Sequence, residues 1–246
     1  MKSIDIEVYA DKEKLGYESA RIFAELATKY IIHYDAFFVA LSGGSTPQRM
    51  YQNLVRHFKN SLEWEKIHFF WSDERYVPVD HPDSNAGMAY TYLFNELNTL
   101  PPHIHPVDTH FDSPRDAADA YQALINQEQP PLLQPIPRFD LVLLGMGDDG
   151  HTASLFPDTD ALYENEQLVA ANWVPKFDKW RITFTLPLIN SAKNIIFLLS
   201  GARKADIIKQ IYDDDADYPA GRVSPVEGRL LWLLDQDAGQ SLKIKS

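Results

Sequence analysis

The sequence predicts an α/β fold: a single α/β/α domain built on a mostly parallel, Rossmann-like sheet. Two observations carry this. Apolar runs without alternation recur at 36–41, 67–71, 139–144 and 195–199, the pattern of strands covered on both faces, as in parallel sheets. Helical patterns lie between them, and strands alternating with helices of that length imply βαβ units with helices on both faces. A chain of 246 residues suits one large α/β domain or two small ones. No internal repeat divides it, so the expectation is one domain over residues 1–246.

The elements follow in order. Ile4-Asp5-Ile6-Glu7-Val8 alternates apolar and polar residues, as a half-buried edge strand does. Asp11 is placed to cap a helix in which Leu15, Ile22, Phe23, Leu26, Ala27, Tyr30 and Ile31 form a core-facing stripe. After the strand at 36–41, Pro47 to Phe58 is helical. After the strand at 67–71, Ser84 opens a helix running through Leu93. Ser113-Pro114-Arg115-Asp116 is a helix start, with serine as cap and proline in the first position. The proline-rich stretch from Gln129 to Pro137 reads as a rigid crossover. Arg181 to Leu186 alternates and is β-branched, hence a strand. Ala202 to Tyr212 is a helix with Ala205, Ile207, Ile208 and Ile211 inward. Asp213-Asp214-Asp215 reads as a solvated loop.

Composition narrows function. The formal charge of −12 gives no global positive field for nucleic acid or an anionic membrane. An anionic substrate therefore needs a local cluster of Arg and Lys. With no cysteine there is no disulfide scaffold, thiolate nucleophile or Cys-ligated zinc, which fits a reducing cytoplasm. The N-terminal MKSIDIEVYADKEKL lacks a signal-peptide core, and no run is long enough to span a bilayer. A cytoplasmic location is expected, and the oligomeric state is left open.

In open parallel sheets, ligands bind beyond the carboxyl ends of the strands. Four such ends are rich in glycine or charge: Ser42 to Pro47, Ser72 to Tyr76, Gly145 to His151, and Ser200 to Lys204. Gly145-Met146-Gly147-Asp148-Asp149-Gly150 has the dinucleotide-binding spacing, but its context disagrees. Pro157 arrives seven residues after Gly150, allowing a helix of about two turns at most. The acidic candidates Glu164 and Glu166 follow no strand, and Asp148-Asp149 would face a pyrophosphate. The better reading is a turn that presents a side chain. Gly147 and Gly150 allow positive φ around the two aspartates. His151 then stands at the start of a short helix, beside a carboxylate, Asp149, that can orient its imidazole for proton transfer.

Ser42-Gly43-Gly44-Ser45-Thr46-Pro47 opens a helix with exposed backbone N–H groups and hydroxyls, the makings of a phosphate cradle. Arg75 suits bidentate phosphate binding, and Asp73 can act on a substrate proton or hydroxyl. Arg203 and Lys204 at a helix start make most sense with an anion between them. There is no G-x-S-x-G elbow and no H-E-x-x-H. His103, His105 and His110 lie in a Pro-flanked connection with no evident frame, and no metal site is expected there.

SGGSTP, DERYVPVDHPDSN, GMGDDGHTASLFP, RITFTLPLINSA and LLSGARKA occur in this order from about Val39 to Lys204, with a looser echo in PAGRVSP and LLWLLD. In these motifs the chain resembles the 6-phosphogluconolactonase family. The resemblance implies a single α/β/α domain shared with glucosamine-6-phosphate deaminases and ribose-5-phosphate isomerase. It implies a cytosolic enzyme with no cofactor or metal that hydrolyses 6-phosphoglucono-δ-lactone, a small sugar-phosphate lactone. It places the catalytic histidine on His151 with Asp149 beside it. Gly43, Gly44, Ser45 and Thr46 fall on the substrate loop, with Arg75, Arg181 and Lys204 as further binding residues. Arg203 and Arg222 depart from the family pattern and leave open which cation holds the phosphate. Two alternatives remain: an amino-sugar-phosphate deaminase or isomerase on the same fold, and a sugar-phosphate sensor without catalysis. Arg75 after Asp-Glu and Leu155-Phe156-Pro157 after the histidine disfavour the first. The acidic charge, and the lack of a segment for a helix-turn-helix, disfavour the second.

Overall fold

The unalternating apolar runs lie side by side in a six-stranded sheet whose neighbouring pairs are all parallel. The structure is a computed structural model and describes residues 4–128, 130–133 and 135–243. In chain order the strands are β1 (Ile4–Tyr9), β2 (Phe37–Leu41), β3 (Ile67–Trp71), β4 (Asp73–Arg75), β5 (Leu132–Leu133), β6 (Ile136–Pro137), β7 (Leu141–Leu144), β8 (Val169–Val174), β9 (Lys179–Phe184), β10 (Asn194–Leu199) and β11 (Arg229–Asp235). The helices are α1 (Lys12–Tyr34), α2 (Ser45–Asn53), α3 (Asn85–Tyr92), α4 (Pro114–Glu128), α5 (Leu186–Ser191), α6 (Ala205–Tyr212) and α7 (Gln236–Gly239). The sheet order is β1-β11-β10-β7-β2-β3, with β1 at an edge as its alternation predicts.

Successive side chains of a strand point to opposite faces, and the core divides accordingly. Phe37, Val39 and Leu41 of β2 join Ile67, Phe69 and Trp71 of β3 on the face covered by α1, α2 and α3. Phe38, Ala40 and Phe70 join Val142, Leu144 and Phe197 on the other face, under α4 and α6. Helix α1 starts at Asp11, whose Oδ1 accepts the Lys14 N–H at 2.8 Å. Leu15, Phe23, Ala27, Tyr30 and Ile31 of its predicted stripe are buried.

Several expectations need correction. The Arg181 strand is not in the main sheet. As β9 it lies between β4 and β8 in a separate three-stranded antiparallel sheet. Strand β11 was not predicted: its Leu and Trp side chains suit a buried helix as well as a strand. The short helix expected after Gly150 does not form. Gly150 and Ala153 adopt left-handed conformations (φ 74° and 46°), and Thr152 bridges Leu155 instead. The crossover before β7 carries the two-residue pair β5 and β6, while Gln129 and Gln134 fall outside the described residues. Among the described residues, no helix is long and apolar enough to cross a membrane.

Candidate active site

The ends of β10, β7, β2 and β3 are consecutive neighbours in the sheet, so their following loops emerge side by side. The chain order reverses between β2 and β7, the crevice where open α/β sheets bind ligands. The loops are tied together. Thr46 and Ser200 hydroxyls lie 2.9 Å apart. Ser72 donates to the carbonyls of Leu41 at 3.1 Å and Leu143 at 3.3 Å. Asn85 donates to the Asp73 carbonyl at 2.9 Å. Its side chain occupies the space where a Cβ on Gly43 would sit, 1.9 Å away. Gly43 is therefore obligatory for close packing, not for a turn.

Within the β7 loop the histidine is held from three sides. Its Nδ1 is 2.5 Å from Asp149 Oδ1, its carbonyl accepts the Gly147 N–H at 2.9 Å, and its ring stacks on Phe156 at 3.9 Å. Asp149 Oδ2 accepts from Lys176 Nζ at 2.7 Å. The hydrogen bond from His151, then that from Lys176, hold the Asp149 carboxyl well below the usual carboxylate range. A permanent carboxylate on Nδ1 fixes the tautomer and leaves Nε2 as the working nitrogen. A Cβ on Gly147 would lie 2.0 Å from His151 Nδ1, whereas one on Gly145 meets nothing within 4 Å. Gly147→Ala is therefore expected to displace the imidazole and lower kcat at least about 10²-fold. Gly145→Ala should stay near wild type in the same steady-state assay.

The ring of His151 faces a cleft of about 460 Å³ shared with Asp73, Arg75, Ser154, Phe177 and Arg181, within the usual size for a small-ligand site. Arg75 and Arg181 are direct cross-strand partners on β4 and β9. Like charges in that relation repel. Neither is neutralised by a salt bridge among the described residues. Arg75 donates to the Asp83 carbonyl at 2.8 Å. Arg181 is 8 % exposed, and its Nε and Nη1 are buried without a hydrogen-bond partner. Burial, then the neighbouring Arg75, push its guanidinium below the usual arginine range. Asp73, Asp83 and Glu74 attract the Arg181 guanidinium without forming a salt bridge to it, and two guanidiniums free of salt bridges at one cleft, one with two idle donors, suit an anion with several oxygens.

Asp73 completes this wall, accepting from Ser154 Oγ at 2.7 Å. Its neighbour Glu74 faces inward. It accepts the N–H groups of Arg75, Asn85 and Ala86 at 2.7, 2.8 and 2.8 Å and the Ser84 hydroxyl at 3.1 Å. Burial pushes its carboxyl up, and the backbone donors oppose this. Glu74 thus anchors the first turn of α3 and holds Arg75 in place. Glu74→Ala orphans two buried N–H groups and a half-buried one and should cost about 3 kcal/mol, lowering Tm by about 6–12 °C in calorimetry.

The other sequence candidates sit elsewhere. Gly44 and Ser45 line a larger adjoining cleft of about 950 Å³, which meets the first at Arg75 and Asp83. Lys204 donates to the Met146 carbonyl and lies 3.5 Å from Asp148, bracing the histidine loop. The Arg203 side chain is 91 % exposed, 4.0 Å from Asp148. Arg222 pairs with Asp217 at 2.7 Å, over the Tyr163 ring. These three line neither cleft. Lys176, Ser154, Asn85 and Phe156 are not among the site residues expected from sequence, although Phe156 counts there against a deaminase. Asn85, Ser154 and Phe156 do lie inside the conspicuous motifs, whereas Lys176 sits in the β8–β9 turn with no spacing signal.

This arrangement has relatives. Residues 10–232 match the family model described as "Glucosamine-6-phosphate isomerases/6-phosphogluconolactonase". The chain belongs to this family. It is 41 % identical over 241 residues to a 6-phosphogluconolactonase of Synechocystis, covering 97 % of this chain and 98 % of the relative. A 6-phosphogluconolactonase of Nostoc is 40 % identical over 242 residues, covering 97 % and 98 %. Among solved structures, 6-phosphogluconolactonase from Trypanosoma cruzi superposes with a TM-score of 0.89 at 28 % identity, covering 99 % of this chain and 98 % of that one. A monomeric glucosamine-6-phosphate deaminase reaches 0.80 at 20 % identity, covering 97 % and 100 %, which shows the shared fold.

Proposed function

We propose that this family member hydrolyses 6-phospho-D-glucono-1,5-lactone to 6-phospho-D-gluconate, with His151 as general base. The observation that carries the reading is a carboxylate-bound imidazole and two guanidiniums free of salt bridges among the described residues, lining one cleft of about 460 Å³. A phosphorylated lactone has a matching group for each: an activated ester at one end and a dianion at the other. His151 Nε2 takes a proton from water as the water oxygen bonds to C1. The C1–O5 bond then breaks, and the imidazolium returns the proton to O5. The new carboxylic acid ionises and releases one proton to solution. Such proton transfer is worth about 10²–10⁴ in rate. Arg75 and Arg181 hold the phosphate, and remote binding of this kind fixes the lactone against the imidazole. Asp73, oriented by Ser154, accepts a sugar hydroxyl, and Gly44 and Ser45 wall the adjoining cleft, with Gly43 and Thr46 packed behind them against Asn85 and Ser200. Lys204 and Arg203 steady the histidine loop through Met146 and Asp148.

The test supplies fresh 6-phosphogluconolactone and follows acid release above spontaneous opening, with glucosamine 6-phosphate as a parallel substrate. Catalysed acid release without ammonia supports the lactonase. Ammonia from the amino sugar would replace it with the deaminase, and phosphogluconate binding without turnover with the sensor.

A further inference from the structure

The histidines at 103 and 105 do have a frame. The Phe69 N–H donates to the His103 carbonyl at 2.8 Å, and the His105 N–H to the Phe69 carbonyl at 2.8 Å. This short parallel bridge adds 103–105 to the edge strand β3. Residues two apart share a face, so both imidazoles stand beside His68 of β3. The rings stack: His68 on His103 at 4.1 Å, His68 on Phe38 at 4.4 Å, and His105 on Phe70 at 4.6 Å. Glu128, the last residue of α4, closes the group. His110 is apart, paired with Asp108.

One ligand atom from each of His68, His103, His105 and Glu128 lies within 4.8 Å of every other. His68 Nδ1 and His105 Nε2 each approach Glu128 Oε2 to 3.5 Å, yet both nitrogens are buried without a hydrogen-bond partner. Buried polar atoms are normally paired, so a plain stack of core rings leaves these two unexplained. A tetrahedral zinc ion with bonds of 2.0–2.1 Å separates its ligand atoms by about 3.3 Å, close to the two spacings seen. Three imidazoles and a carboxylate, with no thiolate, are a donor set that zinc accepts.

We propose that His68, His103, His105 and Glu128 form a closed structural site for one divalent ion of the zinc class. The site pins the 103–105 segment and the end of α4 to β3. It lies toward the amino end of that strand. Asp73 is five residues on, about 17 Å at strand rise, so the ion takes no part in the chemistry at His151.

Tag-free protein is stripped with chelator, and Zn²⁺ is titrated by calorimetry, with Co²⁺ as an optical probe. One equivalent of Zn²⁺ should bind, and Co²⁺ should give the intense visible bands of tetrahedral coordination. Zn²⁺ at 100-fold above Kd should raise Tm by about 5–10 °C. His103→Gln and Glu128→Gln should each weaken binding more than about 100-fold, since even outer-shell partners cost about 10–100-fold. Retained lactone hydrolysis shows that these variants fold. His151→Ala should bind Zn²⁺ like wild type. No stoichiometric uptake, uptake unchanged in both ligand variants, or uptake lost in His151→Ala would overturn the proposal.

Discussion

His151→Ala is expected to lower kcat by about 10²–10⁴ while KM stays within about twofold. The reasoning rests on where the imidazole is held. Its Nδ1 is fixed on Asp149 at 2.5 Å, its ring on Phe156, and its backbone on Gly147. These contacts fix the ring of His151, which lines the cleft, and on this account the imidazole serves the transition state and not substrate affinity. An interaction used only in the transition state lowers kcat and kcat/KM together. Asp149→Asn should share part of the loss, because an amide no longer selects the tautomer that leaves Nε2 basic. The Asp149 carboxyl, held well below the usual range by His151 and Lys176, stays ionised across the working pH range. Its contribution to stability is present above the ordinary aspartate pKa of about 3.9 and is lost only as pH falls through the depressed folded value. In the wild-type protein the titration of the Asp149 carboxyl should therefore show in acid unfolding and not in the activity profile near neutrality. Steady-state kinetics of the two variants measure the effect. A His151→Ala enzyme with near-normal kcat contradicts the assignment.

Arg181→Met should raise KM for the phosphorylated lactone about 10²–10³-fold, the ~3–4 kcal/mol expected for truncating one side of a buried charged contact. The unphosphorylated lactone should lose less than about threefold in kcat/KM. The same substitution should stabilise the free protein by about 1 kcal/mol, because it replaces a buried guanidinium with two unbonded donors beside Arg75, only partly offset by the Phe177 ring at 5.7 Å and by nearby carboxylates, with an apolar chain of similar length. Opposite signs on binding and stability separate a binding residue from a structural one. A structural Arg181 would lose both when replaced. Equal losses on the two lactones would show that the arginine pair does not read the phosphate.

The helix–strand alternation was legible because burial on both faces writes itself as unbroken apolar runs. The runs at 36–41 and 67–71 match β2 and β3 nearly end to end. Strand β8 was not legible: Val169-Ala170-Ala171-Asn172 mixes small and polar residues, since Asn172 faces inward to bond the Ser154 carbonyl at 2.8 Å. The site divides in the same way. Glycine motifs at strand ends located the loops, because close approach such as Gly147 on His151 leaves only one residue type. Which cations face the cleft was not legible. Arg75 and Arg181 meet only through the β4–β9 register, a pairing between residues far apart in sequence. The same holds for His68 and Glu128, which join His103 and His105 only through the edge of the sheet and the end of α4.

The most direct test is a crystal structure with 6-phosphogluconate bound. The account predicts the phosphate between the Arg75 and Arg181 guanidiniums, with the Arg181 Nε and Nη1 hydrogens donated to it, and the C1 carboxylate beside His151 Nε2. A phosphate resting on Arg203, Lys204 or Arg222, or C1 remote from His151, would contradict it.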